Sequence, residues 1–154
     1  TKKGNQFYFG MKIHVGVDRD TKLVHSLVTT PANVHDSNTV GELLHGGESG
    51  VWGDSAYMGK TEEINGKAPN AADNTHRRST RNRKLTEEET ERNRMLSRTR
   101  ARVEHVFGVA KNIFGYRKVR YKGLVKNTNF IHVLFALSNL YMVRRDLLSL
   151  PAGA

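Results

Sequence analysis

Residues Arg98 to Lys118 read RTRARVEHVFGVAKNIFGYRK, and the interpretation of the whole chain starts from them. Apolar residues recur here at the three- and four-residue spacing of a helix with one buried face. The predicted apolar face consists of Met95, Leu96, Val103, Val106, Phe107, Ala110, Ile113 and Phe114. Arg100, Glu104 and Lys111 form a second stripe, because residues four and seven apart return to nearly the same side of a helix.

Glu104 is therefore a carboxylate with a cation on either side along one helix face. Nearby positive charge favours the ionised form of a carboxylate. An ionised carboxylate on a rigid helix in a basic surface suits a metal ion that acts on phosphates. The alternative is an ordinary surface ion pair between Arg100 and Glu104, which stabilises a helix only slightly. The spacing alone leaves both interpretations open.

The positive charge of the chain is concentrated around this stretch. The 154 residues include 25 Lys and Arg and 15 Asp and Glu, a formal net charge of +10. Residues 76–122 contain fifteen of the basic and five of the acidic residues, and 15 − 5 accounts for the whole excess. A localised basic segment is typical of a nucleic-acid-binding surface. A membrane surface or an acidic protein partner is the weaker alternative.

Composition excludes several classes of function. The chain has no cysteine, so it has no disulfide framework, no thiolate zinc site and no cysteine nucleophile. No apolar run is long enough to cross a bilayer, and we expect a cytoplasmic protein without a membrane partner. Seven histidines are present, but they form no ligand-spaced pair on one predicted element, which argues against a histidine metal site.

The first third of the chain predicts a hairpin, a short helix and a short strand. Apolar residues alternate with polar ones from Phe7 to Val17, and a second β-rich run, Leu23 to Thr30, follows a polar turn. Asp36 is the predicted N-cap of a helix that ends at Leu44. Residues 50–54 predict a strand that ends on Asp54, where open α/β sheets place ligands. The alternative role for Asp54 is to cap the next helix.

The remainder predicts two long helices. Residues 65–84 are polar and basic and predict a loop, after which Thr86 caps a helix that runs to about Phe114. Residues 116–122 alternate Tyr or Val with Arg or Lys, which suits either a phosphate backbone or a solvated connector. Residues Leu124 to Leu148 predict a final helix that is buried through Val143. We therefore predict one domain over 1–148, with a basic loop at 65–84 and a tail at 149–154.

With these pieces in place, the chain resembles the C-terminal part of a DDE transposase of bacterial insertion sequences, in the IS-five group. The resemblance covers essentially the whole length and rests on the order and spacing of several strings together. Those strings are Tyr8–Asp18, Leu23–Thr30, Ala32–Ser37, Gly53–Tyr57, Arg100–Lys111, Phe114–Gly123 and Phe135–Tyr141.

The resemblance implies an α/β, ribonuclease-H-like catalytic domain with long C-terminal helices. The family carries two Asp and one Glu that hold a divalent metal, normally Mg²⁺ and in some cases Mn²⁺, for cleavage and transfer of DNA strands. Its second Asp corresponds to Asp54 and its Glu to Glu104. The family signature around the Glu has Tyr, Arg, Glu and Lys, which Arg100, Glu104 and Lys111 satisfy, while Ser97 replaces the Tyr.

The family's first Asp lies on a central strand before the hairpin, and neither Asp18 nor Asp36 corresponds to it. We therefore expect the sheet to lack its first strand. We also expect residues 1–154 alone not to assemble a complete two-metal site and to be inactive.

The implied partners are the transposon ends and the target, both double-stranded DNA, with a homo-oligomer at full length. Arg100 and Lys111 would neutralise phosphate or orient Glu104. The predicted DNA-backbone contacts are Arg77, Arg78, Arg81, Arg83, Lys84, Arg117, Lys118, Arg120 and Lys122. Two alternatives remain: an inactive truncated transposase that only binds DNA, and, from charge alone, a ribosomal or RNA-binding protein.

Overall fold

The structure is a computed structural model, and it describes residues 2–150. It is an α/β fold with six strands and four α-helices in the described part. The four strands of the N-terminal region are β1 (Lys2–Lys3), β2 (Gln6–Phe7), β3 (Met11–Val17) and β4 (Val24–Pro31). β1 pairs with β2, and β3 with β4, each pair antiparallel.

The predicted hairpin is confirmed as β3–β4. Its turn is closed by Asp18, whose Oδ1 accepts hydrogen bonds from the backbone N–H of Asp20 at 3.0 Å and of Thr21 at 2.6 Å. The single strand predicted from Phe7 to Val17 is wrong, because residues 8–10 break it into β2 and β3. Phe9 is consequently fully exposed and Phe7 largely so, and neither joins the apolar face of β3.

Short elements follow the hairpin. A 3-10 helix (Asp36–Thr39) leads into α1 (Val40–Leu43), and His35 rather than Asp36 is its N-cap, with its side chain accepting from Ser37 N–H. The predicted capping role of Asp36 is wrong because its carboxylate faces Lys12, at 2.8 Å from Nζ. β5 (Gly50–Val51), a 3-10 helix (Ser55–Tyr57), α2 (Thr61–Lys67) and β6 (Ala72–Asp73) come next.

β5 and β6 pair in parallel, with Gly50 opposite Ala72 and Val51 opposite Asp73. The interval 65–84, predicted as a loop, thus contains the end of α2 and all of β6. Within residues 2–150, β3 pairs only with β4 and β5 only with β6, so the strands form separate two-stranded sheets.

Two long helices complete the described chain. α3 (Glu87–Asn112) begins at a capping box in which Thr86 Oγ1 accepts from Glu89 N–H and the Glu89 carboxylate accepts from Thr86 N–H, as the sequence predicts for Thr86. α4 (Leu124–Ser149) is the predicted final helix. The boundary between the domain (1–148) and the tail (149–154) stays a prediction, because α4 ends at Ser149 and residues 151–154 lie outside the described part.

The apolar side chains form two separate cores. The first core consists of Val106, Ala110, Ile131, Leu134 and Phe135, from α3 and α4, and one face of β3–β4 packs against it. The second core consists of Val40, Ile64, Ala68 and Ala71, from α1, α2 and the segment before β6.

Only part of each predicted apolar helix face is covered. On α3, Met95 and Ile113 are exposed, whereas Val106 and Ala110 are buried. On α4, burial through Val143 is wrong: Val133, Leu137 and Leu140 are each about half exposed. The reason is that α4 packs on the rest of the described chain through one side only.

Candidate functional site

A cleft of about 530 Å³ lies between the two cores. Consecutive residues of β3, from Ile13 to Val17, form one wall, and residues 50–54 form another. Side chains of successive strand residues point to opposite faces of a sheet, so a wall made of all of them is the edge of the strand. α3 contributes residues between Thr99 and Phe107.

Asp54 lies in this cleft, three residues beyond the end of β5. Its Oδ1 accepts a hydrogen bond from Ala56 N–H at 2.8 Å, so Asp54 caps the short 3-10 helix that follows. The capping interpretation and the ligand interpretation are compatible, because a carboxylate has two oxygens and several lone pairs.

Glu104 and Arg100 line the same cleft from one face of α3. Arg100 Nη2 lies 3.8 Å from Glu104 Oε1, and the Glu104 side chain is 74% exposed. An ion pair this long and this exposed contributes little to stability. Because the Glu104 side chain is largely exposed, its carboxylate is accessible to a ligand. Lys111, predicted on the same stripe, is exposed and is not among the residues that line the cleft.

The Tyr57 phenol is influenced by two carboxylates, those of Asp36 and Asp54. Burial raises the pKa of the Tyr57 phenol to about 12, and the negative charges of Asp36 and Asp54 add to that rise in pKa. Asp36 and Asp54 therefore both lie close enough to Tyr57 to interact with it electrostatically. Gly53 makes room for the ring, since a Cβ there would lie 3.0 Å from Tyr57 Cδ2.

His76 is a second neighbour of Asp54 that the sequence interpretation missed. Its backbone N–H donates to Gly53 O at 3.0 Å, which continues the β5–β6 register and places residue 76 beside residue 54. Burial lowers the pKa of His76, and the charge of Arg100 lowers it further. His76 Nε2 is buried without a hydrogen-bond partner in the described chain. A parallel pairing between two-residue strands gives no periodic signal from which to predict this neighbour.

α3 is tied to this region by hydrogen bonds to the backbone of residues 73–77. Arg92 donates to Thr75 O at 3.0 Å and to Asp73 O at 3.3 Å. Asn93 binds both the N–H and the C=O of Arg77, at 3.0 and 2.8 Å. These bonds fix α3, and with it Arg100 and Glu104, relative to the strand that runs beside Asp54.

Among residues 2–150, no three His, Asp or Glu side chains come together closely enough to hold a metal ion. Asp54 and Glu104 nevertheless provide two carboxylates to one cleft, and hard divalent cations such as Mg²⁺ prefer such oxygen donors. The chemistry of the donors fits Mg²⁺, while the described residues supply only part of a coordination shell.

Two of the seven histidines, which lie on different elements, meet in the fold. The rings of His25, on β4, and His45, after α1, pack edge to face with centroids 5.0 Å apart. His45 Nε2 lies 3.4 Å from a carboxylate oxygen of Glu48. In the part of the chain that the structure describes, the group is not a metal-binding cluster.

The predicted DNA-binding cations occupy two exposed surfaces. Arg77, Arg78, Arg81, Arg83 and Lys84 precede α3, and Arg83 pairs there with Glu89 at 2.7 Å. Arg117, Lys118, Arg120 and Lys122 lie between α3 and α4. Within residues 2–150, none of these last four cations forms an ion pair.

No helix in the described chain combines the length and the apolar character needed to cross a membrane.

No solved structure matches the chain. The family model described as "Transposase DDE domain" matches residues 1–140 of the 154, and it includes all the strands, α1 to α3 and most of α4. Domains of this family have a ribonuclease-H-like α/β fold and generally use divalent metal ions. The chain therefore belongs to the transposase DDE domain family.

Proposed function

We propose that this chain is the C-terminal part of a DDE transposase catalytic domain of the IS-five group, acting on double-stranded DNA. In this proposal Asp54 and Glu104 hold Mg²⁺, which, when bound, activates the attacking oxygen and stabilises the leaving oxygen of a phosphodiester. Arg100 neutralises phosphate in the cleft, and Lys111 binds phosphate beyond it. The observation that carries the proposal is that one cleft contains Asp54, Arg100 and Glu104. Asp54 and Glu104 are 50 positions apart in the sequence (104 − 54), so only the fold brings them together.

We propose that none of the other carboxylates lining the cleft, which are those of Asp18, Asp20, Asp36 and Glu48, is the family's first Asp. Among residues 2–150 none of them gathers with Asp54 and Glu104 into a group that could hold a metal ion. The facing edges of β3 and β5 have no strand partner within residues 2–150, and the cleft lies between them. A strand inserted between them would have to lie about 4.8 Å from each edge to pair with both. We propose that the family's first Asp lies on such a strand, and that this strand joins the two half-sheets.

Binding of Mn²⁺ tests the proposed metal ligands without requiring catalytic turnover. Trp52 is the single tryptophan of the chain and lines the cleft two residues before Asp54. A paramagnetic ion held by Asp54 and Glu104 would therefore quench its fluorescence, and excess Mg²⁺ would reverse the quenching. We expect Asp54→Asn and Glu104→Gln each to raise the Mn²⁺ concentration needed for half-maximal quenching by at least about tenfold.

Two controls separate a ligand from a structural carboxylate. Asparagine caps helices about as well as aspartate, so Asp54→Asn should keep its thermal stability while Asp54→Ala loses about 1 kcal/mol. Glu91→Gln removes an exposed α3 carboxylate outside the cleft and should leave the quenching unchanged. Equal quenching of the wild type, Asp54→Asn and Glu104→Gln would contradict the proposed metal site.

DNA cleavage separates the proposal from the DNA-binding alternative. We expect salt-sensitive binding of double-stranded DNA by the 154-residue chain. We expect no metal-dependent nicking, because no third carboxylate among residues 2–150 gathers with Asp54 and Glu104. Nicking that Asp54→Asn or Glu104→Gln abolishes would show that another residue of this chain completes the site. Metal-independent DNA binding with no Mn²⁺ quenching would favour a remnant that only binds DNA.

A further inference from the structure

The connection between α3 and α4 is fixed in place although it has no regular secondary structure. At its start, Tyr116 N–H donates to Ala110 O at 3.0 Å, and Gly115 adopts φ +65° to turn the chain back. At its end, the buried Asn127 side chain donates to Tyr121 O and to Gly123 O, both at 2.7 Å. The Asn127 carbonyl also accepts from Tyr121 N–H at 3.3 Å. Residues 116–123 are thus a preformed surface and not a loose connector.

An aromatic cluster supports this surface from below. The Phe130 ring of α4 contacts the rings of Tyr116 and Tyr121, with centroids 5.8 and 5.7 Å away. The Arg120 guanidinium lies 5.5 Å from the centre of the Phe130 ring. The Tyr121 and Phe130 rings meet edge to face, and 48% of the Tyr121 surface is open to solvent. The open part of the ring is therefore held in place by contacts that it does not need to form anew on binding.

All the charged residues in the stretch that contains Tyr121 are positive. Arg117, Lys118, Arg120 and Lys122 are exposed, and residues 113–126 contain no Asp or Glu. As described above, none of the four has an ion-pair partner in the described chain. Four unneutralised cations around one half-exposed ring would repel a cationic or purely apolar partner and attract a polyanion.

The combination of ring and cations selects among polyanions. In a DNA duplex the bases stack on one another, so a protein side chain reaches phosphates and groove edges but not the face of a base. An unpaired nucleotide offers a free base face together with its phosphate. Binding of single strands by aromatic rings beside cations is a general solution, because every base has a π-face. Phosphate attraction alone would use the cations and would gain nothing from Tyr121.

We infer that the surface formed by Tyr121, Arg120, Lys118 and Lys122 binds an unpaired nucleotide of single-stranded DNA, with the base stacked on Tyr121 and the phosphates held by the three cations. This inference rests on the proposed function only in taking DNA as the ligand. It adds that the protein distinguishes unpaired from paired DNA, and it places that distinction on the α3–α4 connection and away from Asp54 and Glu104.

The experiment uses one short oligonucleotide containing 2-aminopurine, either alone or annealed to its complement. Fluorescence anisotropy of an end label measures affinity, and quenching of 2-aminopurine reports stacking on a ring. We expect the wild type to bind the single strand more tightly than the duplex and to quench its 2-aminopurine. Tyr121→Ala should weaken single-strand binding about 5- to 150-fold, remove the quenching and change duplex binding less than about twofold.

Further variants separate stacking from packing. Tyr121→Phe keeps the ring and should bind like the wild type, whereas Tyr121→Leu keeps an apolar contact with Phe130 and should bind like Tyr121→Ala. Tyr8→Ala removes a tyrosine of the same 48% exposure elsewhere on the surface and should change nothing. Lys118→Ala should weaken binding of the single strand and of the duplex by the same factor, and it should lower the salt dependence of both affinities.

Three results would overturn the inference while leaving the proposed function intact. The first is an equal affinity of the wild type for the single strand and the duplex. The second is wild-type affinity for the single strand in Tyr121→Leu. The third is an equal loss of affinity for the single strand and for the duplex in Tyr121→Ala. Tighter binding of an RNA strand of the same sequence would also overturn it, in favour of an RNA ligand. Failure of the wild type to bind any DNA at low salt would overturn the proposed function itself, and this inference with it.

Discussion

At the scale of single residues, His14 shows how the cleft makes stability depend on pH. It lies on β3, is 6% exposed, and its Nε2 is 2.9 Å from Thr30 Oγ1. Burial lowers the pKa of His14 below its ordinary 6.5; Asp36 opposes this change and Lys12 adds to it. The unfolded chain therefore takes up a proton at His14 at a pH where the folded protein does not. By linkage, the free energy of unfolding falls as the pH drops below about 6.5.

We predict that His14→Gln reduces this loss of stability, because glutamine can still hydrogen-bond Thr30 but does not titrate. The measurement is the urea midpoint at about pH 7 and about pH 5, where the wild type should lose more stability than the variant. His25 and His76, whose pKa values are also lowered by burial, remain in both proteins and set a common background. His132→Gln, at an exposed position of α4, should behave like the wild type. An equal loss in His14→Gln and the wild type would contradict the prediction.

At the scale of elements, the beginning of α3 is set by a local interaction. The Thr86 hydroxyl and the Glu89 carboxylate satisfy each other's backbone N–H groups, at 3.2 and 3.1 Å. We predict that Thr86→Ala destabilises the protein by about 1 kcal/mol and speeds hydrogen exchange in the first turn of α3. Thr86→Ser keeps the hydroxyl and should change neither quantity appreciably.

Glu104 lies 18 residues, or about 27 Å, further along the helix, so Mn²⁺ quenching should persist in both variants. Loss of quenching in Thr86→Ala would mean that the cap controls the site.

The same scale shows which elements can be predicted from sequence. The Thr86 cap and the β3–β4 turn are predictable because the interacting groups lie within four residues of one another. The parallel pairing of Gly50 with Ala72 is not, because two-residue strands carry no periodicity. The burial of α4 was overestimated for a related reason: apolar residues indicate which faces can be buried, and only the partners in space decide which of them are.

The candidate site divides in the same way. Glu104 was predicted from helical spacing and Asp54 from the end of a predicted strand, the family resemblance added a metal-binding role for both, and the fold brings both to one cleft. Lys111 was predicted with them from helical spacing, but it does not line that cleft, because the two full turns that separate it from Glu104 carry it past the edge of the cleft. Tyr57 and His76 were missed, since their nearness to Asp54 depends on burial and on the β5–β6 register.

At the scale of the whole molecule, the cleft separates two cores that share no residue. Several polar links cross between their elements, and α1 also packs against β3 and β4. Lys12 on β3 pairs with Asp36, and the Arg92 side chain on α3 donates to the backbone of residues 73 and 75. Partly exposed polar links of this kind contribute far less than the burial of apolar side chains. We therefore expect limited cooperativity between the two halves, and the central strand proposed above would raise it by contacting both cores.

Two matched substitutions test this expectation. Ile64 in the second core and Ile131 in the first are both fully buried isoleucines on helices, so replacing either with alanine should cost its own core about 2–5 kcal/mol. We predict that Ile64→Ala loses hydrogen-exchange protection in α2 and β5–β6 while α3 and α4 stay protected, and that Ile131→Ala does the reverse. Trp52, in the cleft, gives an optical transition to compare with far-ultraviolet circular dichroism, and the two should not coincide in Ile64→Ala. If either substitution instead removes protection uniformly from both cores, the cleft is not a boundary between cooperative units, and the argument for a strand that joins them loses its energetic support.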